Sequence, residues 1–304
     1  MNHVVWTQWS NLEAPQGVEL LHPGNAPLGS EATQRVTFYV PPYMSGLDGL
    51  TPVNSMPNLR YLQMPNAGFD DAIAFRREGM DICNARGVHD MSTAELALAL
   101  VLASLRGLDE FVRAAASGEW LQGPRPSLAY KRVGLVGYGS IGKTIGRMLE
   151  PFQVDLVTFS RSGRGSSHTM DQLDEQLPTL DVVILILPAT PKTTKLFDAR
   201  RLGLMRDGAL LVNVARGVIV DTDALAAELS RGRIRAAIDV VDPEPLPSNH
   251  PLWGLPGLII SPHVGGNSSA FEPGMRALLA RQFALLAQGK EPENIVVRGM
   301  EGQD

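Results

Sequence analysis

The stretch Arg132-Val133-Gly134-Leu135-Val136-Gly137-Tyr138-Gly139-Ser140-Ile141-Gly142 constrains the fold of this chain more than any other. An apolar run ends in G-x-G-x-x-G, and a helical pattern follows from Lys143-Thr144-Ile145. Glycine is common, so the spacing alone says little. The strand before it and the helix after it give the motif its meaning. In that setting Gly137 permits the tight turn, Gly139 lets the backbone approach a pyrophosphate, and Gly142 lets helix and strand pack closely. The free N–H groups at the helix start face the anion. The plain alternative is a strand–turn–helix without a ligand.

The surrounding pattern agrees with a sheet covered by helices. After Lys131, strands are expected at 133–136, 154–159, 182–187, 209–214, 236–240 and 257–260. Helices are expected at 143–150 and 170–177. Such alternation specifies a parallel sheet. In the first hundred residues, short apolar runs at 4–6, 18–21, 36–40, 59–64 and 80–83 are bounded by Pro, Gly, Asn or Asp. Those read as parallel strands of another α/β domain. A helix is expected over 70–78 with Gly79 at its end, and a loop over 23–34. A long helix starts near Ser92 and is apolar on nearly every face over 94–105. Such a helix is buried in its domain or against a partner. It runs on past Gly107 to Ala116, and 118–130 reads as a linker. A last helix spans 274–288. A length of 304 residues suits two domains.

Composition excludes several classes. The formal charge is −5 with no basic block, so the electrostatic footprint of nucleic-acid binding is missing. With one cysteine, Cys83, no disulfide can form within the chain. The first residues show no basic segment followed by a long apolar one. The longest apolar run, 96–103, is far short of the roughly 20 residues a membrane span needs. A cytoplasmic location is expected, and no metal-ligand set is assigned.

Three further segments carry charged or titratable residues just beyond apolar strands: Asn213-Val214-Ala215-Arg216-Gly217, Asp239-Val240-Val241-Asp242-Pro243-Glu244-Pro245 and Ser261-Pro262-His263-Val264-Gly265-Gly266. Loops at the carboxyl ends of parallel strands face the ligand crevice. Taken singly, Arg216 reads as a surface ion-pair residue, Glu244 as a turn acid and His263 as a loop histidine. Their order after the glycine loop changes that reading. With it, the chain resembles the NAD(P)-dependent D-2-hydroxyacid dehydrogenase family over nearly its whole length. Pro65-Asn66-Ala67-Gly68-Phe69-Asp70 resembles that family's substrate loop, and Ser117-Gly118-Glu119-Trp120 its segment before the cofactor domain.

The resemblance implies a Rossmann doubly wound cofactor domain at 101–275. It also implies a smaller flavodoxin-like α/β substrate domain made from 1–100 and 276–304. It implies a catalytic trio of Arg216, Glu244 and His263. The chemistry of these residues agrees. Arg216 offers a planar fork of donors to a 2-oxo acid's carboxylate. His263 can protonate the alkoxide formed by hydride transfer, and a carboxylate at Glu244 favours the imidazolium. The amides of Ala67 and Gly68 could hold the carboxylate as a small nest. Expected cofactor contacts are Gly137, Gly139, Ser140, Ile141, Gly142, Leu187, Pro188, Val214, Ala215, Asp239, His263 and Gly265. For Asp239, a carboxamide contact and a structural hydrogen bond stand equally.

NAD-specific versions of this fold usually place an acid about 20 residues past the glycine loop. Here that position is Ser160, followed by Arg161, Ser162 and Arg164. Two arginines and two hydroxyls suit a 2′-phosphate, so NADP is expected ahead of NAD. The substrate expected from the resemblance is a small 2-oxo acid of the glyoxylate or hydroxypyruvate type, and the assembly a homodimer through the helix over 94–105. Two departures from the family are a short first domain and Tyr130 where glycine is common. The alternatives are a phosphite-type dehydrogenase and a nucleotide-sensing corepressor of the same fold.

Overall fold

The computed structural model describes residues 2–163 and 165–299. The chain divides into two compact units, Met1–His89 with Ser269–Asp304, and Asp90–Ser268.

The first unit holds strands β1 (His3–Trp6), β2 (Val18–Leu21), β3 (Phe38–Tyr39), β4 (Tyr61–Gln63) and β5 (Asp81–Cys83), with helix α7 (Phe271–Ala287) and strand β12 (Ile295–Val297). Their order is β2-β1-β3-β4-β5-β12. The first five are parallel and β12 joins antiparallel. This is the flavodoxin-like order with one added edge. Alternate residues face opposite sides, as a strand's period of two requires. Trp6, Tyr39, Leu62 and Ile82 fill one side. Val5, Phe38 and Tyr61 meet Met275, Leu278, Leu279 and Phe283 of α7 on the other.

One expected helix is absent. Residues 70–78 form a single 3-10 stretch, Asp70–Phe75. Arg76 then turns extended, and Arg77 donates to the carbonyls of Val53 and Met56. That tertiary anchor outweighs local helical preference. The expected loop at 23–34 ends in a short 3-10 helix, Glu31–Arg35.

The second unit holds α1 (Asp90–Arg106), α2 (Leu108–Ala116), β6 (Arg132–Val136), α3 (Ser140–Leu149), β7 (Asp155–Phe159), α4 (Leu173–Gln176), β8 (Val182–Leu185), α5 (Ala199–Leu204), β9 (Leu210–Asn213), α6 (Thr222–Ser230), β10 (Arg235–Ile238) and β11 (Leu258–Ile260). The sheet is parallel throughout, in the order β7-β6-β8-β9-β10-β11. The order reverses between β6 and β8, and such a switch point opens the ligand crevice of a doubly wound sheet. Asp198 and Asp221 cap α5 and α6 by accepting the amides of Arg201 and Ala224. These aspartates are ordinary N-cap signals.

Helix α1 lies wholly in the second unit, so the units part before Asp90 rather than at residue 100. The reason is packing: Ala94, Ala97, Leu100, Val101 and Leu105 share a core with Val133, Leu135, Val212 and Ala237. At the other end the division falls at Ser269, ahead of α7, rather than at 276. Helices α1 and α2 meet at 64°. Gly107 makes the elbow with φ +66, and a Cβ there would sit 2.6 Å from Arg125 Nε. Arg125 pins the following linker by pairing with Glu110 at 2.6 Å and lying over Phe111. Tyr130 takes φ +63, in the left-handed region that glycine enters most readily. Among the described residues no single helix is long and apolar enough to cross a membrane.

Candidate active site

The glycine loop leaves β6 at the switch point. Helix α3 starts at Ser140, three residues before the expected Lys143, with Gly139 as its N-cap. No side chain caps it, which leaves its first amides to an anion. The three glycines divide their work. Gly137 takes φ +110, and a Cβ there would lie 2.1 Å from the Ile186 carbonyl oxygen. A Cβ on Gly142 would lie 2.2 Å from the Gly137 carbonyl oxygen. A Cβ on Gly139 would meet nothing within 4 Å. Two glycines are thus required by the fold, and the third leaves an open approach to the backbone. That is the cradle a pyrophosphate needs, so the loop fits a dinucleotide. Ile141 is half-buried behind it. Ser140 Oγ donates to the carboxylate of Asp90, at the start of α1. Asp90 did not stand out in the sequence, since nothing local links it to a loop fifty residues away.

Strand β7 ends at Phe159, and Ser160, Arg161 and Ser162 follow, the last two exposed. A one-residue bridge between Phe159 and His168 closes the loop. The Ser160 amide donates to the His168 carbonyl at 2.9 Å, and the hydroxyls of Thr158 and Ser167 bond at 2.8 Å. Arg164 lies outside the described residues. Beyond β8, Leu187 is half-buried and Pro188 exposed.

The trio stands on three neighbouring strands of the same sheet. Arg216 follows β9, after the buried Val214 and Ala215. Buried Asn213 shapes this turn: its Nδ2 donates to the Arg216 carbonyl at 3.0 Å and its Oδ1 accepts the Ala215 amide at 3.1 Å. Arg216 Nη1 donates to the Ala215 carbonyl at 2.8 Å. Gly217 follows because a Cβ there would lie 2.0 Å from the Val241 carbonyl oxygen. Glu244 and His263 come from the loops after β10 and β11. Glu244 Oε1 and His263 Nδ1 are 2.6 Å apart, with both side chains partly exposed. The sequence separates them by nineteen residues, and the fold makes them a bonded pair.

Asp239 holds the histidine loop. Its buried carboxylate accepts three bonds, from Ser261 Oγ at 2.6 Å and from the amides of Val264 and Gly265 at 2.9 Å each. Its carbonyl accepts the His263 amide at 2.7 Å. His263 takes φ +54, a left-handed conformation that a non-glycine residue holds only when its surroundings demand it. Gly265 is buried beside this brace, where a Cβ would come within 3.0 Å of Asp239 Oδ2. These bonds give Asp239 a structural role.

Ala67 and Gly68 lie in the other unit, in the loop after β4. Asn84 Nδ2 donates to the Ala67 carbonyl at 2.7 Å and the Ala85 amide to the Asn66 carbonyl at 2.9 Å. Both anchors use the loop's carbonyls. His89 bonds the Pro65 carbonyl through Nε2 at 2.8 Å and stacks on Phe271.

The family model for the NAD-binding domain of D-isomer-specific 2-hydroxyacid dehydrogenases matches residues 98–265. The chain belongs to this family. A glyoxylate reductase of Pyrococcus furiosus is 34% identical over 260 residues, covering 79% of this chain and 76% of that protein. A D-isomer-specific 2-hydroxyacid dehydrogenase from Xanthobacter autotrophicus, solved with NADPH and MES, superposes with a TM-score of 0.80 at 25% identity, over 97% of this chain and 98% of that one. A family protein from Aeromonas salmonicida gives a TM-score of 0.84 at 24% identity, over 97% and 99%. This dehydrogenase is therefore an NAD(P)-dependent oxidoreductase of 2-oxo acids, built on a two-domain Rossmann-type α/β fold.

Proposed function

We propose that the protein reduces a small 2-oxo acid of the glyoxylate or hydroxypyruvate type to the D-2-hydroxy acid, with NADPH as donor. The observation that carries this reading is the 2.6 Å bond between Glu244 Oε1 and His263 Nδ1. It commits Nδ1 to the carboxylate and leaves Nε2 to exchange a proton. The nicotinamide, when bound, supplies the hydride. Arg216 holds the substrate carboxylate in its fork and polarises the adjacent ketone. His263 delivers the Nε2 proton to the oxygen as the carbonyl carbon becomes tetrahedral. Glu244 orients the ring and balances the imidazolium charge. In the reverse direction neutral His263 takes the hydroxyl proton. The Ala67 and Gly68 amides are assigned to the same carboxylate. The relative from Pyrococcus furiosus is named a glyoxylate reductase, which supports the substrate class.

The NADPH assignment rests on the end of β7. Ser160 stands where a carboxylate would repel a 2′-phosphate, and exposed Arg161 and Ser162 offer it donors. The glycine-loop residues, with Leu187, Pro188, Val214, Ala215 and Gly265, are assigned to the rest of the dinucleotide. A homodimer through α1 belongs to the same proposal. Leu96, Leu98 and Leu102 of α1 are only partly buried, and Met91 on the same helix, Leu108 and Val112 on α2 and Trp120 beyond it are exposed. Apolar surface of that kind favours a partner. The deciding assay is reduction of a panel of 2-oxo acids with NADPH and NADH in parallel. Oxidation of neither cofactor with any member overturns the proposal. A monomer mass by light scattering at micromolar concentration removes the dimer.

A further inference from the structure

We propose that Asp90 is an electrostatic brake on dinucleotide binding, a carboxylate set at the pyrophosphate end of the site that keeps the cofactor weakly held. The N-termini of α1 and α3 come together in the second unit, and Asp90 and Ser140 are their first residues. Their side chains join through the Ser140 hydroxyl, which donates to Asp90. Amides at the start of α3 attract a pyrophosphate, and Gly139 leaves the approach open. Asp90 opposes that attraction in two ways with one cause. Its negative charge stands beside the place where two more negative charges must enter. It also occupies the one proton of the Ser140 hydroxyl, so that oxygen turns lone pairs toward phosphate oxygens that can only accept. A loop otherwise made for an anion thus carries a resident anion. The consequence is a cofactor that exchanges readily.

The inference rests on the pyrophosphate, which NADH and NADPH share, and not on the preference for one of them. Asp90→Asn removes the charge while keeping the shape, and asparagine is favoured at a helix start. Titration of purified protein by nicotinamide fluorescence should show tighter binding of both NADPH and NADH. Two unit charges 4 Å apart, even with the screening of bulk water, account for about a fivefold gain. The gain should be equal for the two cofactors, so the ratio of their affinities stays at its wild-type value. It should shrink at about 1 M salt, where screening acts within about 3 Å. Asp90→Glu keeps the charge and should bind as the wild type does. Unchanged or weaker binding in folded Asp90→Asn overturns the proposal, as does an equal gain in Asp90→Glu. A wild-type preference for NADH would instead count against the role given to Ser160 and Arg161, and leave the brake standing.

Discussion

Asp239→Asn is the sharpest test of how the fold places His263. The substitution barely changes side-chain size, so its effect comes from hydrogen bonding. Oδ1 accepts from Ser261 Oγ and the Val264 amide, and Oδ2 from the Gly265 amide. An asparagine has one oxygen. Its better orientation keeps both bonds at Oδ1 and turns an NH₂ toward the Gly265 N–H. One bond to a charged acceptor is lost, about 1.5–3 kcal/mol, and a buried donor faces another donor at about 1–3 kcal/mol more. The side chain is only 3% exposed, so water cannot make good the loss. The strain falls on a segment where His263 already sits at φ +54, a conformation costing about 1–2 kcal/mol for an L-residue. A loss of about 3 kcal/mol in holding the loop corresponds to roughly a 10²-fold fall in kcat/KM. Steady-state reduction of glyoxylate or hydroxypyruvate measures it, with circular dichroism confirming the fold. Ser261→Ala, which leaves both amide bonds in place and sets no donor against a donor, should fall by less than Asp239→Asn does. A folded Asp239→Asn within fivefold of the wild type would refute the idea that this brace places the imidazole.

Three further outcomes are expected. His263→Ala should lower turnover by about 10²–10⁴, the span of a positioned acid–base group, with NADPH affinity little changed; near-normal turnover removes it from the mechanism. Arg216→Ala, losing two charge-assisted bonds of about 1.5–3 kcal/mol each, should reduce kcat/KM by on the order of 10²-fold or more. Binding of the carboxylate inhibitor oxamate should weaken with it, and unchanged oxamate affinity would place the carboxylate elsewhere. Ser160→Asp with Arg161→Ala should move preference from NADPH toward NADH, because it adds a ribose acceptor and removes a phosphate partner. Fluorescence titration of both cofactors reads the ratio, and an unmoved ratio would free the β7 loop from that role.

The sheet of the second unit was legible because its strands are mostly apolar and its glycines have separate steric duties. Gly137 and Gly142 are compelled by carbonyl oxygens about 2 Å from where a Cβ would stand, so the motif carries its geometry in its spelling. The shorter helices α5 and α6 carried weaker signals, an aspartate before a few apolar residues, and passed unmarked. Residues 70–78 looked helical because local preference says nothing of Arg77 reaching the carbonyls of Val53 and Met56.

Residue type and order determined by themselves the α/β class, the glycine loop and the candidacy of Arg216, Glu244 and His263. Each of those depends on chemistry or on steps of a few residues along the chain. Tertiary structure alone decided which side chains share a hydrogen bond. It made Glu244 the partner of His263, gave the Asp239 carboxylate to the loop that carries it, and put Asp90 against Ser140. It also assigned α1 to the second unit, because that helix shares its core with β6, β9 and β10. A parallel sheet aligns strands tens of residues apart, and the loops at their carboxyl ends meet only once those strands are side by side.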